Sequence, residues 1–401
     1  MELKLGKGSV DLPLDGYETI FPKELPPLEN LKSKVKEALY SLEERLSNAK
    51  KISIIVSDIT RPVPTKLFFK EIWEMLREKK AFAVFGLGTH REQTPHEARE
   101  LLGGDYPYIN HDVNRCRFVG RTSYGTEVEV LEEVLDSDLI IATGNIEYHY
   151  FAGYTGGAKA ILPGVSSIKT IAQNHSLMLD PSCVPGSMDG AVRKDMDEAG
   201  ALLSEKTYLF NVVLNTKKEI VGIFSGDLFE AHRKGTYLVD SMYKVKASLA
   251  DMVVASCGGF PKDINLYQAH KALENAALAV KDGGIIILLA DCLEGVGHEK
   301  MESWLVSAKT LDEPIERLRK EGFQLGPHKV MRIALIRKKA RVFLVSKSLP
   351  DDFAPTFFEL FRDPKAALDK ALAELGSNAS VLVMPYAGST LPDTCRISNQ
   401  S

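Results

Sequence analysis

Several features that would mark a specialised class of protein are missing from this 401-residue chain. Its five cysteines (Cys116, Cys183, Cys257, Cys292 and Cys395) are scattered and form no C-x-x-C pair. That argues against a disulfide framework or a cysteine-based zinc site and suits the reduced thiols of a cytoplasmic protein. No apolar run approaches the roughly 18 residues needed to cross a bilayer. The opening MELKLGKGSVDLPLDG is charged and interrupted by Gly and Pro, unlike a signal peptide. There is no basic excess: the formal net charge is −4, so neither nucleic acid nor a membrane is an expected partner. Three ready-made chemical motifs are also absent. GLGTHRE lacks the third glycine of a dinucleotide fingerprint, and GYTGGAKA has neither the spacing nor the hydroxyl of a phosphate loop. The histidines do not form H-E-x-x-H.

What is present is an ordinary globular composition, 44% hydrophobic and 26% charged, in a chain long enough for two domains. Short apolar runs rich in Val and Ile alternate with helical patterns. KISIIVSD (51–58), AFAVFGLGTH (81–90), DSDLIIATGNI (136–146) and, more weakly, KEIVGIFSGD (218–227) read as strands. A second set holds LADMVVASCGG and GIIILLADCLEG as strands, with the helix LYQAHKALENAALAVKDGG between them. RIALIRKKARVFLVSKS reads as two strands, and PKAALDKALAELGSNASVLVMP as a helix and a last strand. Near-continuous apolar strands separated by helices indicate an α/β fold with mostly parallel sheets. The expected division is an N-terminal domain over 1–246, joined by the C-terminal segment 380–401, and a C-terminal α/β domain over 247–379.

Ligands of parallel α/β sheets bind beyond the carboxyl ends of the strands, which places an expected active-site cleft between the two domains. The residues just past the strands have chemical character. SDITRP offers Asp58, Thr60 and Arg61, either as a helix cap with a paired arginine or as a fork for a carboxylate or phosphate. GLGTHRE offers His90, a structural imidazole or a group able to move a proton near neutral pH. HYFAGYTGGAKAILPG carries His149 and Lys159 among Gly153, Gly156, Gly157 and Gly164. This is either a tight turn with a solvated lysine or a backbone pressed against a ligand with an amine poised for covalent chemistry. IAQNHS places His175 on a helix, as a satisfied helix-face histidine or as a single metal ligand. In LYQAHK, Gln268 and Lys271 share one helix face, a common solvated pattern that also suits a carboxylate. Tyr148, Tyr150, Tyr154 and Tyr267 flank these motifs and either shape a pocket or pack.

The ordered set SDITRP, GTHRE, HYFAGYTGGAKAILPG, QNH and LYQAHK resembles the nickel-dependent lactate racemase family, with a likeness running from about residue 50 to 300. The resemblance implies a racemase or epimerase of a 2-hydroxy acid, lactate or a relative. It also implies a cofactor, a nickel-pincer nucleotide (pyridinium-3,5-bisthiocarboxylic acid mononucleotide), tethered at Lys159. His175 would ligate nickel, and His90 and His149 would be the acid/bases of a reversible hydride transfer. Asp58, Gly156 and Gly157 would lie on the cofactor side, and Arg61, Gln268, Lys271 and Tyr267 would hold the substrate. Implied partners are the small 2-hydroxy acid and the proteins that make the cofactor. Two other classes remain open on the sequence, a nicotinamide-dependent hydroxy-acid dehydrogenase and a non-catalytic homologue that binds a carboxylate or nickel.

Overall fold

The computed structural model of the protein describes all residues except Asp15, Ser377 and 395–401, so Cys395 lies outside the described residues. The chain opens with an antiparallel pair, Glu2–Leu5 with Gly8–Asp11, and a short strand β1 (Glu18–Thr19). It then forms two α/β units, one over Glu24–Met242 and one assembled from Met1–Lys23 and Tyr243–Ser401.

In the Glu24–Met242 unit the strands of the main sheet are β2 (Lys51–Ser57), β3 (Lys80–Gly86), β4 (Tyr108–Asn110), β5 (Leu139–Asn145), β6 (Thr207–Leu214) and β7 (Ile220–Gly226). They lie in the order β7-β6-β5-β2-β3-β4, parallel throughout except for β7, which returns antiparallel at the edge. β2 and β5 are central and buried along almost their whole length, as their unbroken apolar sequences require. The β2–β3 register pairs Lys51 with Lys80 and Ser57 with Gly86. SDITRP and GLGTHRE therefore leave the sheet at the same end. β6, TYLFNVVL, is an interior strand, next to the edge, that the sequence pattern does not reveal. Its eight-residue run comes directly after a helix, so its apolar start reads as the helix end.

In the second unit the strands are β8 (Ala250–Ser256), β9 (Val280–Leu289), β10 (Arg341–Val345), β11 (Glu359–Phe361) and β12 (Val381–Met384). With β1 they form an all-parallel sheet in the order β11-β10-β9-β8-β12-β1. This corrects the expected division of the chain. The described part of 380–401 does not join the first unit, because β12 pairs with β8 and supplies Val381 and Val383 to that sheet's core. The first 23 residues also belong here, where Leu3, Leu5, Leu12 and Leu14 bury themselves against Met252, Val254 and Ile285. A second correction concerns RIALIRKK, which is the C-terminal part of a helix, Pro327–Lys339, and not a strand. Pro327–Met331, Ile333, Ala334 and Ile336 are buried, so the helix is enclosed on most sides, and Pro327 sits in the first turn.

Candidate active site

The end of β2 places Asp58, which is 2% exposed. Its Oδ1 accepts the Thr60 N–H at 2.6 Å, and its Oδ2 lies 2.8 Å from Nδ1 of half-buried His90. Burial works to raise the Asp58 pKa, but the bonds from His90 and Thr60 outweigh it and hold the carboxyl below its usual value. An acceptor-only carboxylate on Nδ1 gives that nitrogen the proton and leaves the lone pair of a neutral His90 on Nε2. Arg61 is exposed a few residues further on, its backbone N–H bonded to the Asp58 carbonyl.

The segment after β5 doubles back on itself. Tyr148–His149 pairs with Gly153–Tyr154, with His149 opposite Gly153. A short 3₁₀ turn, Gly157–Ala160, then presents Lys159. The glycines are needed because the turn is in contact on all sides. A Cβ at Gly153 (φ +69°) would sit 1.8 Å from the Ser187 carbonyl oxygen. At Gly156 (φ +75°) it would meet the Asn211 amide oxygen at 2.5 Å, and at Gly157 (φ +59°) the His232 ring at 2.7 Å. Asn211 Oδ1 accepts the Gly157 N–H at 2.8 Å, and His232 Nε2 lies 2.8 Å from the Thr155 carbonyl. The fully buried Arg193 donates from Nε to the Ala152 carbonyl at 3.1 Å and from its guanidinium to the Tyr154 carbonyl.

These supports bring three of the expected residues together. Lys159 Nζ is 3.5 Å from His149 Nε2 and 5.9 Å from the centre of the Phe151 ring. The same phenyl ring meets His149 edge-on at 4.5 Å and His175 at 5.1 Å. His175, 7% exposed, stands on the helix Ile168–Ser176, with Nδ1 3.1 Å from Asn174 Oδ1. The Ile171 carbonyl also accepts from its ring.

The electrostatics of this cluster favour neutral groups. Burial first, then the charges of Arg61 and Arg193, drive the Lys159 pKa well below that of a free lysine. No carboxylate forms an ion pair with Lys159 among the described residues. Burial, then Lys159 and Arg61, holds His149 well below its ordinary value, and burial with Lys159 lowers His175 to about 3. A neutral amine is a nucleophile, and a neutral imidazole is a base or a metal ligand.

In the other unit the helix Leu266–Ala279 starts at Asn265, whose side chain accepts the Gln268 N–H at 3.0 Å. Gln268 and Lys271 are exposed on one face, as their spacing predicts. Tyr267 stacks on His298 at 5.5 Å, and Lys329 Nζ lies 4.2 Å over the tyrosine ring and donates to the Tyr267 carbonyl at 3.1 Å. Buried Lys329 is lowered to about 7, by burial first and Lys271 second. His270 points the opposite way, into a buried group with Glu274 (3.2 Å) and Arg332. Sequence reasoning missed Phe151, Asn174, Arg193 and Lys329. Phe151 and Asn174 lie inside the motifs themselves and could have been flagged. Arg193 and Lys329 carry no local signal, because only folding buries them.

Comparison with known proteins agrees across both units. A model described as the lactate racemase N-terminal domain matches residues 5–185, and one described as the lactate racemase C-terminal domain matches 245–391. The lactate racemase of Thermoanaerobacterium thermosaccharolyticum is 32% identical over 295 residues, 70% of this chain and 69% of that protein. The lactate racemase of Lactiplantibacillus plantarum is 32% identical over 365 residues, 86% of this chain and 85% of that protein. The solved apoprotein of the T. thermosaccharolyticum lactate racemase superposes with a TM-score of 0.88 at 27% identity, covering 98% of this chain and 99% of that one. A Thermotoga maritima protein at 21% identity and TM-score 0.66, covering 92% and 99%, shares the fold.

Proposed function

The chain belongs to the lactate racemase family and is an enzyme of that isomerase kind; beyond this, we propose that it interconverts the enantiomers of a small 2-hydroxy acid, with lactate the first expected substrate. The observation that carries the reading is a pair of imidazoles in different settings, His90 braced by Asp58 and half-buried His149 beside Lys159, whose pKa is driven well below that of a free lysine.

The Cα proton of a 2-hydroxy acid is weakly acidic and hard to abstract, and the mechanism that the family resemblance implies moves hydride instead, which needs a hydride acceptor. The residues fit the nickel-pincer nucleotide. Lys159 is a half-buried amine of lowered pKa suited to acylation, His175 is a neutral imidazole, and the Gly156–Gly157 backbone has no room for a side chain. When bound, that group supplies the hydride-accepting carbon and the nickel. Lys159 would tether it and His175 would ligate the metal.

The protein's own groups handle protons and orientation. Nε2 of His90 takes the substrate hydroxyl proton, and Asp58 stabilises the imidazolium that forms. The two enantiomers present their hydroxyls on opposite sides, so a second base is needed, and His149 serves it. Arg61 offers a planar fork for the carboxylate. Gln268 and Lys271 present an amide and a cation, again chemistry that a carboxylate would use, with Tyr267 beside them. Maturation requires partner proteins that make the cofactor. Reduced thiols suit a cytoplasmic setting, and no described helix is long and apolar enough to cross a membrane.

The test uses protein co-expressed with a cofactor-making pathway. The Lys159 peptide should gain the mass of the adduct, and a chiral assay against a panel of 2-hydroxy acids should show racemisation. His90→Ala should keep the adduct and lose about 10²–10⁴-fold in rate. An active enzyme with unmodified Lys159 would sink the proposal.

A further inference from the structure

Behind His175 lies a chain of buried polar groups that the proton chemistry does not use. Asp195, on the helix Ala191–Ala201, is fully buried, and among the described residues it forms no ion pair. Three donors converge on it: the hydroxyls of Thr122 and of Thr126 (2.9 Å), and the Asn174 amide nitrogen (2.8 Å). The same amide nitrogen also donates to the Val192 carbonyl at 3.1 Å. Asn174 is itself fully buried, and its oxygen faces His175 Nδ1 at 3.1 Å.

The direction of these bonds matters more than their number. Two acceptors, Asp195 and the Val192 carbonyl, hold one side of the Asn174 side chain and can be satisfied only by its NH₂ group. The amide cannot flip without setting its oxygen against both of them and stranding polar atoms in the interior. Its oxygen must therefore face His175, and an oxygen there requires the proton on Nδ1. The lone pair is then on Nε2.

We propose that Asp195, acting through Asn174, is a positioning residue that sets the His175 tautomer and so presents Nε2 as a ligand for nickel. The inference rests on reading His175 as the nickel ligand. A ligating histidine whose other ring nitrogen is held by an oriented partner binds metal more tightly, and loss of such a partner typically costs about 10–100-fold in affinity. The Ile171 carbonyl also accepts from the ring, and Asp195 adds to the preference by fixing which end of the asparagine amide meets the imidazole.

The test is Asp195→Asn, which keeps shape but turns the acceptor-only residue 195 into one that can also donate, so that only the Val192 carbonyl still opposes a turn of the Asn174 amide. Holoenzyme from cells with the cofactor pathway is challenged with a chelator and its nickel measured over time. The mass at Lys159 reports the tether separately. The expected result is an intact adduct with nickel lost roughly 10–100-fold faster than from the unsubstituted protein. In the apoprotein, ring-nitrogen NMR of His175 should show the Nδ1–H form, shifting toward the Nε2–H form in the variant. Unchanged nickel retention and an unchanged tautomer in a folded Asp195→Asn protein overturn the inference. An Nε2–H tautomer in the unsubstituted apoprotein overturns it as well, whether or not the variant folds. His175→Ala separates the two ideas. If it loses nickel while Asp195→Asn does not, only the relay is wrong; if it keeps nickel, the ligand reading fails and takes the relay with it.

Discussion

The two units share an architecture and use it in opposite ways. Each is a six-stranded, mainly parallel sheet whose chemically distinctive residues lie past the strand ends. In the Glu24–Met242 unit the segment 148–164 folds over its own strand end and, with the helix after it, holds half-buried Lys159 and His149 and buried His175, each below its ordinary pKa. In the other unit Gln268 and Lys271 stay exposed, while the buried groups on the opposite side of their helix, His270, Glu274 and Arg332, are paired with one another. Burial makes bases and nucleophiles, because it removes charge. Exposure on a paired foundation leaves an amide and an amine facing solvent. The difference lies in the loops, not in the sheets.

The sharpest test of that contrast substitutes one histidine of lowered pKa in each unit. His149→Ala should cost about 10²–10⁴-fold in racemisation with little change in unfolding temperature. His270→Ala should do the reverse: turnover within a few-fold, and a stability loss of about 1–3 kcal/mol from the broken contact to Glu274. Chiral turnover assays and thermal unfolding of both proteins measure the two effects, and matching losses would erase the distinction.

A smaller effect compares two left-handed glycines. Alanine at Gly153 would place its Cβ 1.8 Å from a backbone oxygen, so the covering segment must move, at a cost of at least about 2 kcal/mol. Gly283 (φ +80°), in the other unit, has nothing within 4 Å of the added atom, and there alanine should cost only about 1 kcal/mol of backbone strain. Denaturant titrations of the two variants measure the gap. Equal costs would mean that the segment is not as tightly held as the contacts require.

The gentlest test is acid. In the first unit burial is the chief cause of four depressed histidines: His111 at about 4, His175 and His232 each at about 3, and His149 well below its ordinary value. In the second unit His270 (about 4) and His298 are depressed, again by burial first. A base whose folded pKa lies below its unfolded value binds fewer protons when folded. Its stability contribution is complete above about pH 6.5 and is lost as pH falls toward the folded value, by about 1.4 kcal/mol per pH unit for each group. With four such histidines against two, hydrogen exchange between about pH 6.5 and 4 should open the Glu24–Met242 unit first. Earlier opening of the other unit would break the comparison.

Much of the site was legible before folding was considered. Strand ends were found because long apolar runs stop abruptly at SDITRP, GTHRE and GNIEYHY, and the parallel α/β rule makes the polar residues just beyond them candidates for a ligand site. Strand β6 escapes the pattern because its run abuts a helix, and RIALIRKK reads as a strand because a largely buried helix and a strand share an apolar composition over short windows. The true membership of the chain ends was not legible either. The pairing of β12 with β8, and of β1 with β12, joins segments more than a hundred residues apart, and no local pattern records it.

The sequence by itself determined the residue types and their order: an Asp and a His after adjacent strands, a lysine in a glycine turn, and a histidine preceded by an asparagine. Only the tertiary structure decided their states. Asp58 and His90 are 32 residues apart, Gly157 and Asn211 are 54 apart, and Thr122 and Asp195 are 73 apart, yet each pair is hydrogen-bonded. Whether a lysine is charged, or which imidazole nitrogen holds its proton, depends on the solvent excluded around it and on the direction of the bonds that reach it. Both are set by partners that the chain delivers only when it folds.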